Sequence, residues 1–345
     1  MSHQRHAVRA NDSFKIRYKK WGGSTTDNSS MIKNVCVLLH GWSGNSNYFS
    51  QSIQTLKHNE HTVYIAPDLR GHSSTENDDR DDDNDFGKYH ISRLAKDLFD
   101  LIVALKMENV IPAESLVSLV GTSMGAAVIF SFCELFGEDL VKNIVIVDQA
   151  PLQNRREDWQ LGSTGCFDDE SFKRLRASLF QDMSSFADEN EKACIAKGSS
   201  FKCDLLIKEA TLRCKPEALT ELMLDHTNLD WRPLIAQLQR PVLVIVGEKT
   251  QIFPWKGVAY CGYLAKNSQT MVCKNCGHWL YLEQPGLFAF ALSQFISGED
   301  QPPANESLEA DLKGGYEFYK DKFYFIDAKK VDYRFVGGNP EFYKL

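Results

Sequence analysis

Six short runs of the chain are apolar almost without a break: 35–39, 62–66, 116–120, 143–147, 241–247 and 270–273. They are too short for helices, rich in Val and Ile, and bounded by polar or turn residues. That pattern predicts strands buried on both faces. Between them the period changes. Ile91, Leu94, Leu98, Leu101, Ile102 and Leu105 recur at helical spacing and predict an amphipathic helix packed on a sheet. Segments 45–56, 255–264 and 285–296 also read as helices. Pro285 suits a helix start, where its missing N–H leaves no bond unmade. Segment 14–21 alternates and predicts an early, half-exposed strand. Buried strands alternating with helices imply an α/β protein with a largely parallel sheet covered on both faces.

The rhythm breaks at 152–231. This stretch is helix-rich, mixed in polarity and dotted with aromatics, among them Trp159, Phe167, Phe186 and Phe201. The sheet pattern then resumes. A polar, proline-containing linker at 300–309 leads into a tail dense in Tyr and Phe, which is expected to pack back on the domain. The chain thus divides at 1–151, 152–231, 232–298 and 299–345. The acidic run at 76–85 lacks the spaced ligands and turn glycine of a calcium loop, so it is expected to be a solvated loop.

The chemistry centres on Gly121-Thr122-Ser123-Met124-Gly125, read as G-x-S-x-G between a strand and an apolar helix. Small residues there allow a sharp turn that projects the Ser123 hydroxyl. Upstream, the strand at 35–39 runs into His40-Gly41-Trp42. Downstream stands Asn275-Cys276-Gly277-His278-Trp279, and Asp148 lies between Ser123 and His278. This order of nucleophile, acid and histidine, behind an oxyanion-loop sequence, resembles the α/β-hydrolase superfamily over roughly residues 14–298. Two further stretches strengthen the resemblance. Residues 67–74 resemble the family's D-x-R-G-x-G-x-S turn, with Ser73 at the second glycine and with Asp68 and Arg70 expected to fix the loop. Residues 277–285 resemble G-H-W-x-x-x-E-x-P.

The resemblance implies an α/β-hydrolase fold with 152–231 as a helical lid. It implies Ser123 as nucleophile, His278 as base, and the backbone N–H groups of Met124 and Trp42 as the oxyanion hole. Trp42, Trp159 and Trp279 are expected to line the substrate site. Family members often carry the acid in a G-x-x-D turn, but here that turn is Gly247-Glu248-Lys249-Thr250. Asp148, at the end of the preceding strand, is therefore the expected acid and Glu248 its rival. The implied activity is serine-dependent cleavage of a small to medium apolar ester or lactone through an acyl-enzyme. A receptor-like binding protein and a C–C hydrolase or lyase are the alternatives.

Bulk properties narrow the partners. A net charge of −7 gives no electrostatic footprint for nucleic acid or anionic membrane. The polar N-terminal residues are not followed by an apolar run, and nine cysteines, an odd number, suit free thiols. Together these point to the cytoplasm, a small-molecule substrate, and no cofactor, metal or transmembrane segment. Cys273 and Cys276 have no further ligand in sequence and are expected to be structural.

Overall fold

The computed structural model describes residues 5–23, 32–56, 61–72, 89–201, 204–297 and 321–333. The acidic run at 76–85, Ser73 and Ser74, the linker at 300–309 and most of the aromatic tail lie outside the described residues.

Nine strands are present: β1 (Arg5–Arg9), β2 (Lys15–Gly22), β3 (Asn34–Leu39), β4 (Thr62–Pro67), β5 (Val117–Thr122), β6 (Val141–Val147), β7 (Val242–Gly247), β8 (Ser268–Cys273) and β9 (Phe323–Ile326). They form one sheet in the order β1-β2-β4-β3-β5-β6-β7-β8-β9. The six strands from β4 to β8 in that order are mutually parallel. All six were predicted from their apolar runs. The antiparallel edges are β1 and β2 on one side and β9 on the other. β9 brings part of the aromatic tail onto the sheet, with Phe325 opposite Met271 and Phe323 opposite Cys273.

The helices are α1 (Ser50–Leu56), α2 (Ile91–Met107), α3 (Met124–Phe136), α4 (Asp169–Gln181), α5 (Met183–Cys194), α6 (Asp204–Leu212), α7 (Pro216–Asn228), α8 (Arg232–Ile235), α9 (Trp255–Leu264), α10 (Leu280–Glu283) and α11 (Pro285–Ser297). Strand alternation sorts the core into two layers. Val35, Val37 and Leu39 face the layer that holds α2, α3 and α9. Cys36 and Leu38 face the layer with α1, α10 and α11. Every α2 residue of the predicted stripe is buried. Helix α3 is buried from Met124 through Cys133, because both the sheet and α2 pack against it.

Between β6 and α8 lie four helices, α4 to α7. Two of them begin on aspartate caps. Asp168 and Ser171 bond reciprocally at α4, and Asp182 accepts from Ser184 and Ser185 at α5. Their shared apolar cluster of Leu179, Phe186, Cys214 and Leu219 takes in Trp42 from the loop after β3. Among the described residues no helix is long and apolar enough to cross a membrane. The eight described cysteines are free and buried, Cys273 and Cys276 included.

Candidate active site

The turn from β5 into α3 is built by steric necessity. A Cβ on Gly121 would sit 2.5 Å from Ala126 N, and one on Gly125 would sit 2.4 Å from the Leu39 carbonyl oxygen. Neither separation is physical for a side chain, so both glycines of G-x-S-x-G are required where β3, β5 and α3 meet. Ser123 itself has φ +51 and ψ −124 and makes no capping bond with its side chain. This is a conformation that glycine favours. It leaves the hydroxyl projecting rather than folded onto the helix start, and such strain clusters at functional sites.

Ser123 and His278 open onto one cavity of about 230 Å³. His278 is 5 % exposed, and its ring lies 6.0 Å from that of Phe253. Its Nδ1 faces Asp148 Oδ1 at 3.5 Å. That separation is long for a hydrogen bond, as contacts around catalytic groups often are before substrate binds. Asp148 is fully buried. It accepts from the Gly247 N–H at 3.3 Å and from the Thr250 hydroxyl at 3.1 Å. Burial raises its pKa, opposed by the nearby His278 imidazole and by the bonds from Gly247 and Thr250. Thr250 occupies the position at which the G-x-x-D turn would carry its acid. Glu248 turns elsewhere, accepting from the Asn275 N–H at 3.0 Å.

The loop after β3 runs beside the serine. A Cβ on Gly41 would lie 3.0 Å from Ser123 Cβ. Neither the Trp42 N–H nor the Met124 N–H is used in a described backbone hydrogen bond. Two histidines fix this loop. His40 Nδ1–H donates to the Gly41 carbonyl at 2.8 Å, and its Nε2 accepts from the Leu69 N–H at 3.0 Å. His72 Nε2 accepts from the Ser43 N–H at 3.2 Å, and its Nδ1–H donates to the Arg70 carbonyl at 3.1 Å. The rings meet edge-on at 4.9 Å. Burial lowers both pKa values, to about 4 for His40 and about 3 for His72, so both stay neutral. Asp68 accepts from the Ser46 N–H. Arg70, 1 % exposed, pairs with Asp97 through two bonds of 2.9 Å and with Asp12. These two residues do hold the turn.

The helical segment is bonded to the same loop. Trp42 Nε1 donates to the Leu219 carbonyl of α7 at 2.8 Å, and its ring meets Phe186 of α5 edge-on at 5.6 Å. Asn190 of α5 donates to Ser43 Oγ at 2.9 Å. Glu283 accepts from the N–H groups of Gly277 and Ala196, which ties the histidine turn to the end of α5. Helices α4, α5 and α7 thus wall the cavity onto which Ser123 opens, contributing Leu175, Phe186 and Met223 among others.

Of the three tryptophans expected at the substrate site, Trp42 and Trp279 line the cavity. Trp159 does not. Its N–H donates to the Leu152 carbonyl at 2.8 Å and its ring packs on Tyr260, so it belongs to the core. The expectation for Trp159 is corrected accordingly: its ring is held in the core between Tyr260 and the Arg232 guanidinium and does not reach the cavity lining. Residues not foreseen are Thr250 as a donor to Asp148, and the buried polar pair Gln153 and His226 in the cavity wall. For His226 the sequence signal is the spacing Leu219, Leu222, Met223, His226, which puts a histidine on the buried stripe of α7.

The chain is 22 % identical over 286 residues to the monoacylglycerol lipase ABHD6 of Rattus norvegicus, covering 80 % of this chain and 79 % of that one. It is 22 % identical over 261 residues to the AB hydrolase superfamily protein YisY of Bacillus subtilis, covering 75 % and 90 %. Among solved structures, an esterase from Exiguobacterium antarcticum superposes with a TM-score of 0.72 at 20 % identity, covering 85 % of this chain and all of that one. A bromoperoxidase from Bacillus anthracis superposes with a TM-score of 0.71, with the same identity and coverage. The family model of the α/β hydrolase fold matches residues 34–285, from β3 through the turn that carries His278. With the sheet order, the glycine-bounded serine turn and this match in agreement, the chain belongs to the α/β hydrolase family.

Proposed function

We propose that the protein is a serine-dependent carboxylic ester hydrolase acting on a small to medium apolar ester or lactone. The observation that carries this reading is the shared cavity of Ser123 and His278, with buried Asp148 facing the far side of the imidazole. A serine hydroxyl is a weak nucleophile until a base takes its proton. In the proposed cycle His278 Nε2 removes that proton as Ser123 Oγ attacks the ester carbonyl. Asp148 holds the ring and stabilises the imidazolium. The N–H groups of Met124 and Trp42 receive the oxyanion, each being worth about 2.7–4 kcal/mol in comparable sites. His278 then protonates the leaving alcohol, and water releases the acid from the acyl-enzyme by the same steps in reverse.

Helices α4 to α7 act as the lid over this cavity. The similarity to a monoacylglycerol lipase and to an esterase fits an ester substrate, as does the mostly apolar wall. The test pairs a fluorophosphonate probe with a panel of aryl esters and lactones. Label on Ser123 by mass spectrometry, with turnover lost in Ser123→Ala, is the expected result. No label in folded protein, or label elsewhere, overturns the reading. Label without turnover of any ester favours a receptor-like protein on the same fold.

A further inference from the structure

The wall of the cavity contains a polar group with no protein partner among the described residues. His226 of α7 is 3 % exposed, and neither ring nitrogen is hydrogen-bonded among the described residues. It lines the cavity that Ser123 and His278 share. Gln153, 6 % exposed and in the same wall, donates its side-chain amide to the thioether of Met223, one turn before His226 on α7, at 3.3 Å. Sulfur is a weak acceptor. Burying an imidazole with both nitrogens unpaired is costly. The rest of α7's buried face is apolar, with Ala218, Leu219, Leu222 and Met223, apart from Thr227, whose hydroxyl is satisfied by the Met223 carbonyl at 2.8 Å. Packing alone therefore gives no reason for a histidine at this position.

The chemistry of the ring defines what would pair with it. Burial alone lowers the His226 pKa to about 4, so the imidazole is neutral near pH 7. A neutral imidazole offers one N–H donor and one acceptor nitrogen. A carbonyl oxygen would satisfy only the donor. A hydroxyl can accept at one nitrogen or donate to the other, and two neighbouring hydroxyls satisfy both. An anion finds no fixed positive charge here, and Glu189 in the same wall repels it.

We infer that His226, with Gln153 in the same wall, is the subsite for a hydroxyl group of the substrate, so that the cavity takes a neutral, hydroxylated ester. The inference rests on the proposed ester hydrolysis only in placing the substrate in this cavity. A site built around a buried polar group rejects the analogue that lacks the matching hydroxyl, because its own groups are then left unpaired. An apolar wall discriminates far less.

The experiment measures binding without turnover, in the Ser123→Ala protein. Affinities are compared for two matched ester pairs: hydroxypropyl octanoate against butyl octanoate, and methyl hydroxyhexanoate against methyl heptanoate. The first pair carries the hydroxyl on the alcohol side and the second on the acyl side. In at least one pair the hydroxylated ester is expected to bind about 10- to 100-fold tighter. Adding His226→Leu should bring that ratio near one without weakening the analogue, and His226→Gln, which keeps a donor and an acceptor, should restore part of it. The imidazole nitrogen resonances of His226 provide a readout that needs no variant at this position. They should shift with the preferred hydroxylated ester and not with its analogue. Ratios near one in both pairs, or a preference that survives His226→Leu in folded protein, would overturn the inference and leave His226 a buried group satisfied by water. Native protein without esterase activity sinks the catalytic reading and leaves the binding ratio measurable.

Discussion

A histidine base needs a carboxylate behind it, and two acids stand near enough in sequence to compete for that place. Asp148 is buried and faces His278 Nδ1, whereas Glu248 is bound to the Asn275 backbone. Under the proposed mechanism Asp148→Asn should lower kcat by on the order of 10⁴, the loss found for the comparable change in the best-studied triad. Glu248→Gln should leave kcat within a few-fold. A collapse of Glu248→Gln with near-normal Asp148→Asn would move the acid to the later turn. Thr250 adds a finer test. Its hydroxyl donates to the carboxylate oxygen that faces the histidine. A hydrogen bond to a charged group is worth about 1.5–3 kcal/mol, so Thr250→Val should cost roughly 10- to 100-fold in kcat. Thr250→Ser should recover most of it with KM unchanged. If Thr250→Val instead lowers thermal stability and leaves kcat untouched, the hydroxyl only fills space.

The turn between β5 and α3 shows how strain and chemistry are coupled within one element pair. Ser123 holds φ +51 between glycines that cannot carry a Cβ. A non-glycine residue in such a region costs on the order of 1–3 kcal/mol. Ser123→Gly should therefore abolish activity yet raise the unfolding free energy relative to Ser123→Ala by about 1 kcal/mol after the added chain entropy of glycine, read as a higher urea midpoint. Equal midpoints for the two variants would show that the turn is unstrained. Gly125→Ala should do the reverse, since its Cβ would press on the Leu39 carbonyl, a backbone atom that cannot swing away. The same elements explain what was legible in the sequence. The six parallel strands announced themselves because both faces are buried, and Ser123, Asp148 and His278 stand at or just beyond strand ends, where local motifs mark them. Strand β1 is short and carries Arg5, His6 and Arg9, so no apolar run betrayed it. Gln153, Thr250 and His226 reach the site only through tertiary packing. Trp159 was misplaced because an aromatic in sequence does not reveal which way its ring points.

Three parts of the molecule each bury a neutral imidazole: His40 after β3, His72 after β4 and His226 in α7. The first two join the loop beside Ser123 to the loop after β4, and the third faces the cavity. Burial is the main cause of all three depressed pKa values. In the unfolded chain each ring protonates near its ordinary value of 6.5, whereas the folded rings resist protons until about 4, 3 and 4. Between those limits the unfolded state binds more protons, so folding stability falls as pH falls from about 6.5. The buried carboxyls of Asp148 and Asp97 have raised pKa values and act with the opposite sign, binding protons more readily when folded. A single-site comparison removes that ambiguity. His72→Gln keeps an oxygen that can accept from the Ser43 N–H but cannot titrate. Urea unfolding at pH 6.5 and pH 5 should show a smaller acid-induced loss for His72→Gln than for the unsubstituted protein, by about 1–2 kcal/mol. Parallel losses in the two proteins would mean that His72 protonates in place, and that the loop beside Ser123 is held by Trp42 and Asn190 rather than by its neutral histidines.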